Sequence, residues 1–270
     1  MTPLLEIQNL QVSFGKQTRA VSDLSFCVRK NSFTSLVGES GSGKTVTALS
    51  VCRLLSPEKL SGRVVYWDEN GRKIDLHALK EPELESIRGR KIAMVFQDPA
   101  SSLDPVMKIG RQVAEAYRAH FPCSKKEAHE KAAGTLRAVK LAAERVMESY
   151  PHELSGGMKQ RAVMAMALVS GPRLLIADEP TTALDPKTEK EIMELLTELN
   201  TAHRLTVLFI THDLTLASKY SDEIVVLKDG RAVETMAGGS GRVYHPCEPY
   251  TQRLFKAQNW EMPPKSFIEV

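Results

Sequence analysis

The chain has 270 residues, a formal net charge of +3, 42% hydrophobic and 26% charged residues, a balance ordinary for a soluble globular protein of one large or two small domains. Acids and bases are interspersed, so no basic stripe points to nucleic acid and no acidic run to disorder. Apolar runs such as Ala162 to Val169 are far shorter than a membrane span, and Met1-Thr2-Pro3-Leu4-Leu5-Glu6 lacks the regions of a signal peptide, so the chain is expected to stay in the cytosol. Cys27, Cys52, Cys123 and Cys247 are scattered with no C-x-x-C pair, which argues against a zinc site, an iron–sulfur cluster or a disulfide framework.

From Leu4 to Phe14 and from Ala20 to Val28, β-branched and aromatic residues alternate with polar ones, as in half-buried antiparallel strands. The apolar run Phe33 to Val37 predicts a buried strand and Val46 to Leu55 a helix. Between them, Gly38-Glu39-Ser40-Gly41-Ser42-Gly43-Lys44-Thr45 fits G-x-x-x-x-G-K-[ST] in the strand–loop–helix context that motif requires, against the bland alternative of a flexible Gly/Ser turn. Gly38, Gly41 and Gly43 let the backbone turn its N–H groups inward, and the helix start adds its positive end, which together make a phosphate cradle. Lys44 would reach the β- and γ-phosphates, and the Thr45 hydroxyl would ligate Mg²⁺. Phe14, upstream of this loop, is placed either to stack on an adenine ring or to fill a strand core.

Arg63 to Trp67 and Arg72 to Leu76, around Asp68-Glu69-Asn70-Gly71, predict a hairpin. Ile92 to Phe96 predicts a strand ending in Gln97, and Asp98 to Pro105 a loop with a helix start. Val106, Ile109, Val113 and Tyr117 fall at helical spacing, and Ser124-x-x-Glu127 is a capping box opening a helix with Ala128, Ala132 and Leu136 on one face. Residues 105–150 therefore read as a helical insertion whose apolar positions are core packing.

Leu154 to Arg161 begins another helix, with Ser155 as N-cap and Gly156 and Gly157 in the first turn; this is either an ordinary helix start or a second anion site. Leu174 to Ala177 is a buried strand ending in Asp178-Glu179. Adjacent acids there are costly to desolvate without a role, and because successive strand side chains diverge, Asp178 can hold Mg²⁺ while Glu179 faces an attacking water. Two solvated turn acids are the bland alternative. Asp185-Pro186 caps a helix with Ile192, Leu195, Leu196 and Leu199 as its apolar stripe. Leu205 to Ile210 is a strand delivering Thr211-His212-Asp213. A lone His is usually structural, but at a strand-to-helix edge in a phosphate-loop fold it lies near the γ-phosphate. Glu223 to Leu227 and Ala232 to Thr235 predict a last hairpin, Gly238-Gly239-Ser240-Gly241 a linker, and the tail with Pro246, Pro249, Pro263 and Pro264 an extended, partly docked segment.

The segments GESGSGKT, Gln97, LSGGMKQR, LLIADE, Ala183 to Pro186 and His212 stand in the order of the phosphate loop, glutamine loop, signature, Walker B strand, D-loop and switch histidine of ABC-type ATPases, and nearly the whole chain resembles that family. The resemblance implies an α/β P-loop NTPase core with an antiparallel β subdomain and an inserted α-helical subdomain. Residues 1–236 would be the ATPase domain, with 1–97 and 172–236 as the α/β core and 98–171 as the helical and signature subdomain, followed by a C-terminal extension, 237–270. It implies ATP held by Phe14, Gly38, Ser40, Gly41, Gly43, Lys44, Thr45 and Thr47, and Mg²⁺ held by Thr45, Gln97 and Asp178. Glu179 would be the general base, Gln97 would sense metal and water, and His212 would clamp the γ-phosphate. Ser155, Gly156 and Gly157 would serve the ATP of a partner in a head-to-tail dimer.

Met94 to Pro105, Tyr150 to Arg161, Asp178 to Asp185 and the late Pro249-Tyr250-Thr251 further resemble the ATPase subunits of bacterial oligopeptide, dipeptide and nickel importers. Such subunits lie peripherally on the cytoplasmic face of the cell membrane. They work with a second ATPase, identical or related, with two integral permease subunits and, indirectly, with a solute-binding protein, not with nucleic acid. Soluble ABC ATPases acting on nucleic acid tend to carry coiled-coil insertions or tandem ATPase units, patterns this sequence lacks. Glu248 stands where that family usually has His before Pro-Tyr-Thr, and the chain ends at Val270 where longer members continue into a cysteine-rich segment, which leans toward nickel or metallophore uptake.

Overall fold

The computed structural model describes residues 2–15, 18–56, 59–238 and 244–257. The chain divides into two compact units, Met1–His77 with Phe209–Val270, and Ala78–Leu208. The first unit opens with β1 (Pro3–Phe14) and β2 (Thr18–Arg29), paired antiparallel with Leu10 opposite Leu24 and Val12 opposite Val21. These four residues are fully buried, Leu10 and Val12 by period-two alternation and Val21 and Leu24 across an irregularity at left-handed Asp23, φ 60°. Next come β3 (Phe33–Val37), buried at every position, α1 (Lys44–Val51), β4 (Leu60–Trp67) and β5 (Lys73–Asp75). The antiparallel sheet runs β2-β1-β4-β5. Its β4–β5 turn is shaped by Asp68, whose carboxylate accepts from the backbone N–H groups of Asn70 and Arg72.

Helix α1 is shorter than the apolar run up to Leu55 led one to expect. Arg53 takes a left-handed conformation, φ 46°, and the Leu54 N–H returns to the Leu49 carbonyl at 2.8 Å, a closure that ends the helix and leaves Leu54 exposed.

The second unit contains α2 (Glu81–Glu85), β6 (Ile92–Val95), α3 (Ile109–Arg118), α4 (Lys125–Ala138), α5 (Ala143–Val146), α6 (Gly156–Leu168), β7 (Leu174–Asp178) and α7 (Pro186–His203). Strands β6 and β7 pair in parallel, Ile92 opposite Leu174. Ser124 caps α4 by accepting from the Glu127 N–H, and Ala128, Ala132 and Leu136 are its buried face. Val106 does not join the face of α3. It is 82% exposed, because the buried Gln112 side chain donates to the carbonyls of Asp104 and Met107 and so pins that segment as a turn.

Within β8 (Thr206–Thr211) the chain passes back to the first unit, which it completes with α8 (Leu214–Tyr220), β9 (Glu223–Lys228), β10 (Arg231–Ala237) and α9 (Pro249–Ala257). Strand β3 pairs in parallel with β9, Val37 opposite Val226, and β9 and β10 form the expected hairpin. The proline-bearing tail is not extended at 249–257 but helical. Proline suits the first turn of a helix, and Thr251 and Phe255, four apart, are both fully buried. Phe255 joins Val37, Leu214, Ile224, Val226 and Tyr244 in one core, with Tyr250 and Leu254 packed on it. Residues 239–241 of the expected linker, and Pro263 and Pro264, lie outside the described residues. No described helix is long and apolar enough to cross a membrane.

Candidate functional site

In the first unit the candidate site begins where buried β3 ends. Gly38 passes so close to β9 that an added Cβ would lie 2.4 Å from the Leu227 carbonyl oxygen, and Gly43, at φ 102°, would bring one 2.5 Å from the Ala20 oxygen. Those two glycines are therefore demanded by close backbone approach, whereas Gly41 is demanded by its φ of 81° alone. The Gly230 N–H of the β9–β10 turn donates to the Ser42 carbonyl at 3.1 Å and braces the loop from behind. Lys44, 6% exposed, donates from Nζ to the carbonyls of Gly38 at 2.8 Å and Glu39 at 2.9 Å, so its ammonium lies across the loop it is expected to serve. Ser40, Gly41 and Thr45 are exposed at the loop and the start of α1, while the Thr47 hydroxyl donates inward to the Gly43 carbonyl at 2.8 Å and is fully buried.

His212 is exposed on the turn between β8 and α8. The turn is held on both sides, since the Asp213 N–H donates to Thr211 Oγ1 and the Asp213 carboxylate caps α8 through the N–H groups of Thr215 and Leu216. Asp213 carries a positioning role that its N-cap location alone would have revealed. Phe14, 36% exposed, has Lys59 Nζ 5.1 Å from its ring centroid, so it is not a core residue.

In the second unit, β7 is buried throughout and ends with Asp178, 2% exposed. Glu179 does not diverge from it by strand alternation, because the strand has ended and Glu179 stands in the left-handed region at φ 45°. Its carboxylate Oε2 accepts from Gln97 Nε2 at 3.3 Å and from Thr182 Oγ1 at 3.0 Å. Thr182 lies within the Asp178 to Asp185 segment singled out from sequence, but the sequence reading assigns its side chain no role there. The turn continues through Ala183, φ 67°, to Asp185, which caps α7. The Thr188 hydroxyl first, and then the Thr188 N–H, hold the Asp185 carboxyl below the usual carboxylate range.

Ser155 caps α6 through the Met158 N–H at 3.4 Å, and Ser155 and Gly156 are exposed. Gly157 has a packing reason to be glycine, since a Cβ would meet Thr188 Cγ2 at 2.3 Å where the starts of α6 and α7 touch. A cavity of about 540 Å³ lies in this unit, lined by Met94, Phe96, Ala116, His120, Val163 and Met166 among others. Phe96 is 40% exposed there. Burial, and secondarily the nearby Arg90 charge, push the His120 imidazole below its ordinary pKa. A larger cavity of about 690 Å³, between residues such as Thr135, Ala138, Val169 and Leu199, holds none of the residues singled out from sequence.

Among the described residues no three His, Cys, Asp or Glu side chains cluster as a metal cage. The Thr45 hydroxyl is exposed in the first unit and the Asp178 carboxylate is buried in the second, and each is a hard oxygen donor of the kind Mg²⁺ takes.

A family profile described as "ABC transporter" matches residues 21–182. The chain is 43% identical over 261 residues to a probable peptide ABC transporter ATP-binding protein of Sinorhizobium fredii, covering 94% of this chain and 76% of that protein. It is 44% identical over 262 residues to a putative peptide import ATP-binding protein of Brucella abortus, with 94% and 77% covered. Among solved structures, the dimeric ATP-binding cassette MJ0796 in a post-hydrolysis state with ADP and Pi superposes with a TM-score of 0.75 at 30% identity, over 87% of this chain and 98% of that one. The cbiO1 protein of Clostridium perfringens, part of the cbiONQ transporter complex, gives 0.75 at 26% identity over 87% and 88%.

Proposed function

This chain belongs to the ABC transporter family, and on that premise we propose that it is the ATP-hydrolysing subunit of a bacterial importer that takes up peptides. The observation that carries the reading is the Glu179 carboxylate, placed just after the buried Asp178 by a left-handed residue and anchored at one oxygen by Gln97. In the reaction, the oxygen of a water bonds to the γ-phosphorus as the bond from that phosphorus to the β-phosphate bridging oxygen breaks. The water's proton passes to the Glu179 carboxylate, leaving ADP and phosphate. Lys44 and the N–H groups of the loop from Gly38 to Thr45 hold the phosphates, Ser40 and Thr47 belong to that cradle, Phe14 stacks on the adenine, and His212 contacts the γ-phosphate. Thr45, Asp178 and Gln97 would hold a Mg²⁺ ion, which would offset charge on the phosphate oxygens. Ser155, Gly156 and Gly157 serve the nucleotide of a second ATPase subunit.

The subunit sits on the cytoplasmic face of the membrane against two permease subunits, which in turn receive solute from a binding protein. The cavity beside Phe96 and Met166, lined mainly by apolar side chains, suits a short permease helix with an apolar tip. Peptide as the solute is supported by the names of the relatives, and a metal chelate is the rival solute. The test is to purify the chain with its permease in detergent, reconstitute the complex in liposomes, and follow ATP hydrolysis with Glu179→Gln as control. Hydrolysis stimulated by solute-loaded binding protein, and abolished in the variant, is expected. Recovery of the chain only with ribosomes or DNA would refute transport, and uptake of nickel chelate without peptide would replace the solute.

A further inference from the structure

We propose that Thr182 is a positioning residue for this hydrolysis, its hydroxyl orienting the Glu179 carboxylate from within the turn that follows β7. The inference rests on Glu179 being the base. Thr182 Oγ1 and Gln97 Nε2 both donate to Oε2 of Glu179, at 3.0 and 3.3 Å. Two donors on one oxygen fix the plane of a carboxylate and assign proton acceptance to the other oxygen, Oε1.

The two donors are not equivalent. Gln97 is an exposed side chain in the segment after β6, on the far side of Phe96 from the strand. Thr182 is three residues from Glu179 on a turn whose backbone is fixed by several independent contacts. The Thr182 N–H donates to the Glu179 carbonyl at 3.2 Å, the Leu184 N–H donates to the Thr181 carbonyl at 3.2 Å, and Asp185 is committed to capping α7. Left-handed backbone at two non-glycine residues, Glu179 and Ala183, is unfavourable in isolation and persists only where neighbouring contacts over-determine it. The β-branched Thr182 has few χ1 rotamers to choose from. Its hydroxyl therefore stays aimed at the base even when the Gln97 segment shifts. Thr182 itself is exposed, so the hydroxyl is not a requirement of core packing.

The experiment measures kcat and KM for ATP in the assembled complex for the wild type, Thr182→Val, Thr182→Ser and Glu179→Gln, with equilibrium ATP binding and thermal midpoints alongside. Thr182→Val keeps the shape and removes the donor, so kcat is expected to fall about 10-fold or more with KM and ATP affinity unchanged, and Thr182→Ser to recover most of the rate. Wild-type kcat in Thr182→Val beside an inactive Glu179→Gln would overturn the role of Thr182 and leave the base in place. Thr182→Ser as slow as Thr182→Val would also overturn it, since the methyl and not the hydroxyl would then matter. Normal turnover in Glu179→Gln would instead remove the base on which the inference rests.

Discussion

Gly38→Ala tests the phosphate cradle through its back wall, because the backbone N–H is kept and the added methyl faces β9. Gly38 is not in the left-handed region, so alanine meets no backbone strain there. What it meets is the Leu227 carbonyl oxygen at 2.4 Å, short by about 0.9 Å of the ~3.3 Å at which carbon and carbonyl oxygen settle. The Ser42 hydroxyl, 2.7 Å away, can rotate clear, but Leu227 lies in β9, which is paired to β3 on one side and β10 on the other. The loop must therefore give way. Its N–H groups then miss the phosphates by most of an ångström, and an error of that size costs on the order of 10²-fold in kcat/KM. The assay is ATP titration at equilibrium followed by turnover in the assembled complex, with far-UV circular dichroism to confirm the fold. ATP affinity and turnover equal to wild type would refute the claim that close approach to β9 sets the loop.

Three further outcomes are expected. Gly134→Ala sits in the interior of α4 with no atom within 4 Å of the new methyl, so it should stabilise by about 0.5–1 kcal/mol and raise the thermal midpoint by a few degrees; a fall would show hidden crowding. Arg161→Met removes donors to the Val139 carbonyl at 3.2 Å and to Glu191 at 2.9 Å from a side chain only 9% exposed, and should cost about 2 kcal/mol in urea unfolding; an unchanged midpoint would mean the pair contributes nothing. His120, mainly through burial and then through Arg90, binds its proton less readily in the fold than in the unfolded chain. Stability should rise with pH through the window beneath ~6.5 and be lost as pH falls below it, and His120→Gln should flatten that change; an equal slope in the variant would assign it to other groups.

Features governed by a few neighbouring residues were legible in the sequence. Ser124, Ser155 and Asp185 cap the helices they were expected to cap, because an N-cap is a contact across three residues. The buried run Phe33 to Val37 and the glycines after it were legible for the same reason. Features set by distant packing were not. Nothing near Gly157 announces that Thr188 will press on it, and nothing near Val106 announces that Gln112 will hold the backbone before α3. The left-handed Glu179 and its bond from Thr182 depend on how the turn into α7 closes, which no period or cap encodes. The tail misled because prolines drew attention away from the Thr251–Phe255 spacing that makes α9 pack.

The same division runs through the chemistry. Strands β3, β7 and β8 are buried at every position, and the residues expected to act, Lys44, Glu179 and His212, come only after each strand has stopped. Each of these residues follows the carboxyl end of its own strand, the end at which parallel α/β folds commonly present ligand groups. Lys44 shows what that placement costs. Its ammonium is buried on two loop carbonyls, so a phosphate gains it only by drawing it from Gly38 and Glu39. The affinity of the loop is then a difference between two charge-assisted sets of contacts, and the strength of either set alone does not predict it. A substitution at Lys44 accordingly changes loop shape and phosphate attraction together, while Gly38→Ala changes shape alone, so comparing the two separates geometry from charge.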